Sequence, residues 1–376
     1  MSVPHSGRQP AEPADGARRA GGETRRTFLK TAGVTAAVIA AAPRVILASN
    51  KSGLDPVILG DGEHRYECVH DWAQLPGEIA FGNTHGVAED SQGLIYIKHT
   101  VHASSSKPDA VCVFDPEGKF VRSWGGEYKG GAHGLHLNKE KDGEFLYLCD
   151  QARGVVDKTT LNGERVWSKG CPMESGLYNN PAEYHPTNIA IIPGGLPAPY
   201  DARAGEFYVA DGYGKSWIHH YNAKAEYLGS WGGPGSERGQ MSCPHGLMID
   251  ARDPASPMLA VADRSNHRLQ YFTLDPEGGR HVKFVKDEMK SPCHFHTRGT
   301  DLLVPDLQAR VTLLDKDNKL IVHLGDGENY NLRDKPRDQF VPGKFIAPHS
   351  AIFDKDGNIF VVEWVEVGRV TKLKRV

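Results

Sequence analysis

The sequence predicts an all-β fold, a six-bladed β-propeller, from three observations. A segment that begins a short apolar run occurs six times at intervals of about fifty residues, a period typical of propeller blades. Each start is followed by further short apolar runs, up to four per unit, with Gly, Pro, Asp and Asn between them. The 376 residues are rich in glycine and proline and suffice for one large all-β domain.

The six starts define the expected innermost strand of each blade. In chain order they are His85–Ala88, His133–Leu135, Pro186–Ile189, His245–Met248, a degenerate segment near Cys293–His296, and His349–Ile352. The expected second strands are Leu94–Ile97, Phe145–Cys149, Phe207–Ala210, Leu259–Ala262, Leu302–Val304 and Ile359–Val362. An up-and-down sandwich with the same strand spacing is the alternative architecture.

The two ends of the repeat predict how the ring closes. Tyr66–Trp72 resembles a fourth strand that precedes any first strand, and Arg369–Leu373 resembles a third strand without a fourth. We therefore expect the N-terminal strand to complete the last blade, which leaves no open sheet edge. The propeller is expected to span residues 56–376.

Residues 1–48 are predicted to be a twin-arginine export signal with a disordered tail. Arg25 and Arg26 stand before a weakly apolar stretch, Thr31–Ala42, which is shorter than the roughly 20 residues that a membrane-spanning helix needs. We expect a periplasmic or extracellular protein with no membrane span. The net charge of −3 gives no indication of a nucleic-acid partner.

Three of the starts share a histidine that predicts a metal site. His133, His245 and His349 begin the inner strands of blades two, four and six, which lie about 120° apart around the channel. Three neutral imidazoles with one open position form the ligand set of a catalytic zinc. His85 holds the same position in blade one and is a candidate fourth ligand, supporting group or substrate contact. The alternative is that each imidazole only caps a neighbouring carbonyl.

Other candidates follow the second strands or lie near the fifth start. A phenol near a metal ion could act as a general base, which makes Tyr213 a candidate, although a packed turn tyrosine is the alternative. Arg153 and Arg264 could bind an anionic substrate, or form salt bridges between blades. His294 and His296 lie near the start of blade five and do not align with the other histidines.

Three segments carry a resemblance to a known family. Phe207–Tyr213, Cys243–Leu247 and Val261–Asn266 resemble the NHL-repeat propellers, and in particular the peptidyl-α-hydroxyglycine α-amidating lyases. The resemblance extends with gaps from about residue 80 to the C-terminus and is strongest over Pro186–Phe272. It implies a six-bladed propeller enzyme that breaks a C–N bond.

The resemblance also implies roles for individual residues. It implies zinc on His133, His245 and His349, with Tyr213 as catalytic base and Arg264 in contact with the substrate carboxylate region. The chain departs from the family where a second arginine is expected, because Lys98 and His99 stand there. These two residues are candidates to supply the missing positive charge, and exposed loop residues are the alternative.

Further departures keep other functions open. Gly214 replaces a family cysteine, and the six cysteines are scattered without a CxxC pair. The sequence therefore predicts an exported, monomeric, metal-dependent lyase acting on a small-molecule or peptide substrate with Zn²⁺. The alternatives are an Fe²⁺-dependent oxygenase or redox enzyme, in which His85 completes a four-histidine centre, and a non-catalytic NHL-type binding propeller.

Overall fold

The computed structural model describes residues 56–325 and 327–376, and these form six antiparallel sheets, the blades of a propeller ring. The prediction of an all-β six-bladed propeller is confirmed. Residues 1–48, to which the export signal was assigned, lie outside the described part of the chain. None of the described residues forms a helix with the length and apolarity needed to cross a membrane.

Blades one to five are each built from four consecutive strands, with the inner strand first. The last blade receives β1 (Ile58–Asp61) and β2 (His64–Val69). Blade one comprises β3 (Thr84–Glu89), β4 (Ile95–His99), β5 (Val111–Phe114) and β6 (Phe120–Trp124). Blade two comprises β7 (Ala132–Glu140), β8 (Gly143–Asp150), β9 (Val155–Thr160) and β10 (Arg165–Lys169). Blade three comprises β11 (Asn188–Ile191), β12 (Phe207–Ala210), β13 (Trp217–Tyr221) and β14 (Tyr227–Gly232).

The remaining blades follow the same order. Blade four comprises β15 (Pro244–Asp250), β16 (Met258–Asp263), β17 (Arg268–Phe272) and β18 (His281–Val285). Blade five comprises β19 (His296–Arg298), β20 (Asp301–Asp306), β21 (Arg310–Leu314) and β22 (Leu320–Leu324). Blade six comprises β23 (Pro348–Phe353), β24 (Ile359–Glu363) and β25 (Arg369–Arg375), completed by β2 and β1. Short 3-10 helices lie at Gly126–Tyr128, Met173–Ser175, Pro181–Glu183, Tyr200–Arg203, Arg264–Asn266, Tyr330–Leu332 and Arg337–Gln339.

The ring closes as predicted, by pairing of the N-terminal strand with the C-terminal one. β2 runs antiparallel to β25, and Cys68 faces Leu373 in the register. Two details differ from the prediction: β1 adds a fifth strand outside β2, and β2 ends at Val69 rather than at Trp72. The Trp72 ring instead packs edge-on against Phe114 of blade one and Phe360 of blade six, because a large apolar ring is more stable inside the core.

The inner strands approach so closely that two positions require glycine. A Cβ atom on Gly134 would lie 2.5 Å from the carbonyl oxygen of Thr187, and one on Gly246 would lie 2.4 Å from that of Cys293. Both distances are shorter than any van der Waals contact. The glycine of the repeated His-Gly pair therefore permits neighbouring blades to meet near the axis, with the preceding histidine beside the same carbonyl.

Candidate metal centre

Three histidines from alternate blades converge near the axis. His133, His245 and His349 stand second in β7, β15 and β23 and are 1%, 1% and 3% exposed. Their ring centroids are 4.8 Å apart for His133 and His245, 4.9 Å for His133 and His349, and 4.6 Å for His245 and His349. The repeat therefore brings three imidazoles together from three directions.

The three rings share one orientation, which fixes their tautomer. In each, Nδ1 lies within hydrogen-bond distance of a backbone carbonyl on the next blade, so that Nδ1 carries the proton and donates it. These bonds join His133 to Thr187 (2.7 Å), His245 to Cys293 (2.8 Å) and His349 to His85 (2.9 Å). Nε2 of each ring therefore keeps its lone pair and acts as an acceptor. A backbone carbonyl that holds the second ring nitrogen is the usual support of a metal-binding histidine.

Burial keeps these imidazoles in the neutral form that binds metals. Burial, opposed by the hydrogen bond to Thr187, lowers the pKa of His133 to about 3. The pKa values of His245 and His349 are also well below their usual range, first because of burial and then because of the neighbouring cationic groups. Near neutral pH no proton competes for the Nε2 lone pairs.

His85 lies in the same cluster but makes a different contact. Its Nδ1 is 3.2 Å from Nε2 of His349, and ring nitrogens of His85, His133 and His349 lie within 4.8 Å of one another. Because His349 donates from Nδ1, its Nε2 accepts this bond and His85 is the donor. A metal bound at Nε2 of His349 would replace that hydrogen bond, so that His85 must rotate or join the ligands.

Tyr213 enters the cluster from blade three. The residue is 39% exposed, whereas its hydroxyl reaches inward to 3.1 Å from Nε2 of both His133 and His245. Arg264 Nη1 lies 3.3 Å from that hydroxyl. Burial raises the pKa of Tyr213 to about 12, and the positive charge of Arg264 opposes that rise. The phenol is thus positioned to exchange a proton at the centre of the histidine cluster.

A cavity of about 370 Å³ opens beside this cluster, within the range of small-molecule sites. Residues that directly follow second strands contribute to its wall in several blades. Its lining comprises Asn83, His85, Thr100, Ala132, His133, Gln151, Tyr213, Arg264 and Trp364. Asn83, Thr100, Gln151 and Trp364 were missed by the sequence reasoning. The position after the second strand, which singled out Tyr213 and Arg264, could have found Gln151 and Trp364.

Arg153 is occupied by carboxylates of its own blade. Its Nε lies 2.5 Å from Asp150 and its Nη2 lies 3.0 Å from Asp157, and its guanidinium stacks on Tyr128. Arg153 is therefore in a salt bridge, as the alternative expected, but within its own blade rather than between blades. A role for Arg153 in substrate binding stays a prediction that its present partners do not favour.

Lys98 and His99 are enclosed in the structure rather than exposed on a loop. Lys98 Nζ donates to the carbonyl oxygens of Cys149 (2.6 Å) and Gly134 (3.3 Å), which join blades one and two. Nδ1 of His99 accepts from the backbone N–H of Val101 at 3.0 Å. Both side chains have 0% exposure, and their contacts do not favour the substrate-binding role predicted for them.

His294 and His296 lie at a second cavity, of about 460 Å³, formed by the C-terminal parts of the inner strands. His136, three residues beyond His133, lines the same cavity. The backbone N–H of Phe353 donates to Nδ1 of His296 at 3.1 Å. Of the sequence candidates, His85, His133, Tyr213 and Arg264 line the first cavity, whereas His294 and His296 line the second.

Comparison with known proteins gives relatives among the amidating enzymes. No protein-family model matches the chain. The chain is 24% identical over 307 residues to peptidyl-alpha-hydroxyglycine alpha-amidating lyase 1 of Drosophila melanogaster, covering 76% of this chain and 51% of that protein. It is 28% identical over 242 residues to peptidylglycine alpha-amidating monooxygenase of Rattus norvegicus, covering 57% of this chain and 23% of the rat protein. The homologues are therefore peptidylglycine amidating enzymes at modest identity.

These relatives are longer than the part that is matched. A Xenopus laevis peptidyl-glycine alpha-amidating monooxygenase A is 34% identical over 184 residues, 47% of this chain and 18% of that protein. Among solved structures, an inactive virginiamycin B lyase from Staphylococcus aureus with quinupristin overlaps with a TM-score of 0.47 at 10% identity. That overlap covers 82% of this chain and 100% of the lyase, and at this score it carries no conclusion about activity.

Proposed function

We propose that this chain is a metal-dependent lyase of the amidating type, which cleaves the C–N bond of an N-acyl-α-hydroxyglycine. The observation that supports the proposal most directly is the histidine cluster, in which three imidazoles share one tautomer and Nε2 of both His133 and His245 lies 3.1 Å from the Tyr213 hydroxyl. The homology to amidating enzymes supports the same reaction class.

The donor set fits zinc. His133, His245 and His349 would hold the ion through Nε2, and their carbonyl partners would keep the rings oriented. When bound, such an ion supplies Lewis-acid polarisation of a substrate oxygen and lowers the pKa of nearby acidic groups, including the Tyr213 phenol. The remaining chemistry belongs to the side chains of the protein.

Two residues would act on the substrate directly. Arg264 would bind the substrate carboxylate through its guanidinium. Tyr213, as phenolate, would take the proton of the α-hydroxyl group as the C–N bond breaks and a C=O bond forms. The same proton then passes to the departing amide nitrogen, so that the products are a primary amide and glyoxylate. No oxidant is required, because the carbon keeps its oxidation state.

The test measures metal content and glyoxylate release on the same preparations. We expect one zinc per chain, lost in the His133→Ala/His349→Ala double variant. Tyr213→Phe is expected to keep the zinc and to lower kcat by about 10² or more, since it removes a general base. A Tyr213→Phe enzyme with unchanged turnover would remove this residue from the mechanism, and protein without metal would favour a binding propeller.

One observation favours the second candidate, an iron-dependent oxygenase with four histidines. One ring nitrogen from each of His85, His133 and His349 lies within 4.8 Å of the other two, so that His85 is placed to become a ligand. Iron instead of zinc at the same stoichiometry, lost in His85→Ala, would support this function over the lyase.

We further propose that the protein is exported by the twin-arginine pathway and acts as a monomer. The support for export is the sequence around Arg25 and Arg26, which lies outside the described residues. An Arg25→Lys/Arg26→Lys variant is expected to remain inside the cell when the fractions are assayed. Light scattering that gives a dimer mass would contradict the monomer.

A further inference from the structure

The cavity beside the histidines is lined by Asn83, a residue whose amide oxygen has no hydrogen-bond partner among the described residues. This oxygen, Oδ1, is buried. Leaving a buried polar atom unpaired costs about 1–3 kcal/mol. An occupant of the cavity that offers an N–H at this position would satisfy the acceptor.

Trp364 gives the same cavity an apolar wall. Its backbone N–H donates to the carbonyl of Ala347 at 2.8 Å, and the guanidinium of Arg333 lies 3.9 Å from the centre of its ring. The indole is thus supported from outside while it contributes to the cavity lining. A supported aromatic face of this kind binds apolar or aromatic groups.

The charge of the cavity is limited to one cation. Arg264 is the one lysine or arginine among its lining residues in the described chain. The nearby Arg153 is paired with two carboxylates, and the Lys98 ammonium is bound to backbone carbonyls. The lining therefore suits an occupant with one carboxylate, whose remainder is neutral.

We propose that Asn83 and Trp364 form the subsite for the acyl side of the substrate. Asn83 Oδ1 accepts the N–H of the substrate amide, and the Trp364 ring packs against the side chain of the residue before the α-hydroxyglycine. The substrate class is then a peptide that ends in a neutral, large apolar residue followed by α-hydroxyglycine. This inference rests on the proposed function for the identity of the substrate.

The first test compares amides with and without the N–H. Wild-type enzyme is expected to release glyoxylate from N-benzoyl-α-hydroxyglycine with a kcat/KM about tenfold above that of the N-methylated compound. Asn83→Leu should abolish this preference, whereas Asn83→Asp, which retains an acceptor, should keep it. Asn162→Leu, on an exposed turn of blade two, is the matched control and should behave as wild type. An Asn83→Leu enzyme with the full wild-type preference would overturn the role of Asn83.

The second test varies the side chain. We expect wild type to prefer acetyl-Phe-α-hydroxyglycine over acetyl-Gly-α-hydroxyglycine by about tenfold in kcat/KM, on the scale of one buried aromatic side chain. Trp364→Ala should remove the preference and Trp364→Phe should keep most of it. An unchanged preference in Trp364→Ala would overturn this half of the proposal.

Binding of unreactive analogues separates failure of the subsite from failure of the proposed function. Calorimetric titration with acetyl-Phe-glycine and acetyl-Phe-sarcosine requires no turnover. Suppose that no α-hydroxyglycine compound reacts, but that wild type binds acetyl-Phe-glycine more tightly than acetyl-Phe-sarcosine and Asn83→Leu binds both equally. In that case the proposed reaction is wrong and the proposed subsite stands. If turnover is normal and neither variant changes the preferences, the subsite is wrong and the lyase stands. Absence of both turnover and binding would overturn both.

Discussion

Lys98 is a charged side chain wholly enclosed between two blades. Its ammonium contacts two backbone carbonyl oxygens, and burial lowers its pKa from 10.5 to about 8, opposed by neighbouring acidic groups. Because the pKa of Lys98 is lower in the folded protein, the unfolded chain binds more protons than the folded protein between about pH 8 and pH 10.5. The stability contributed by this group is full above pH 10.5 and is lost as the pH falls toward 8.

Replacing Lys98 separates a structural role from substrate binding. The difference in unfolding free energy between wild type and Lys98→Met should rise with pH from 8 to 9.5, by up to about 1.4 kcal/mol per unit. Denaturant titrations at several pH values measure it. The KM of Lys98→Met should stay unchanged, since the ammonium faces backbone carbonyls. A raised KM, together with a difference in unfolding free energy that does not change with pH, would support the substrate-binding prediction instead.

At the scale of single elements, β2 closes the ring. Tyr66 on this strand is 2% exposed and packs in a cluster that includes Leu303 of blade five and Leu373 of β25. The strand therefore contributes a large buried side chain in addition to its ladder hydrogen bonds. Closure of the sheet also removes the unpaired edge that β25 would otherwise expose.

Truncating Tyr66 tests this closure. Tyr66→Ala is expected to lower the unfolding free energy by about 3 kcal/mol, because it leaves a cavity between blades five and six. Val69→Ala on the same strand, where the side chain is 36% exposed, should change it by less than about 0.5 kcal/mol. Equal effects of the two substitutions in urea titrations would show that the strand does not close the core as described.

At the scale of the whole molecule, the propeller keeps many histidines neutral. Burial lowers the pKa of His99 and His219 to about 3, and that of His70 and His136 to about 4. The unfolded chain takes up protons below about pH 6.5, where these folded groups do not. Their contribution to stability is complete above pH 6.5 and is lost as the pH falls toward 3 or 4.

This acid sensitivity can be assigned to single residues. His219 lies away from the metal centre and contacts Tyr178 and Ser230. Between pH 7.5 and 5.5 the unfolding free energy of wild type should fall, and His219→Gln should reduce that slope by up to about 1.4 kcal/mol per pH unit. Thermal or urea unfolding at both pH values provides the measurement. An identical slope in the variant would mean that His219 is charged when folded.

The sequence by itself determined the blade count, the closure and the histidine cluster, because each depends on a repeated pattern. Identical positions in a closed array occupy equivalent places around the axis, so the spacing of His133, His245 and His349 predicts convergence. The structure has the six blades that the repeat predicts, and it brings the three imidazole rings together.

Only the tertiary structure decided the tautomers, the position of Lys98 and the lining of the cavity beside the histidines. Each depends on contacts between blades that no local pattern records: the Nδ1 bonds reach the next blade, and Lys98 of blade one ends on carbonyls of blade two. Asn83 and Trp364 come from opposite ends of the chain and line one cavity because blades one and six are neighbours in the closed ring. The direction of a side chain and the group that it contacts depend on packing between blades, and the repeat period does not determine that packing.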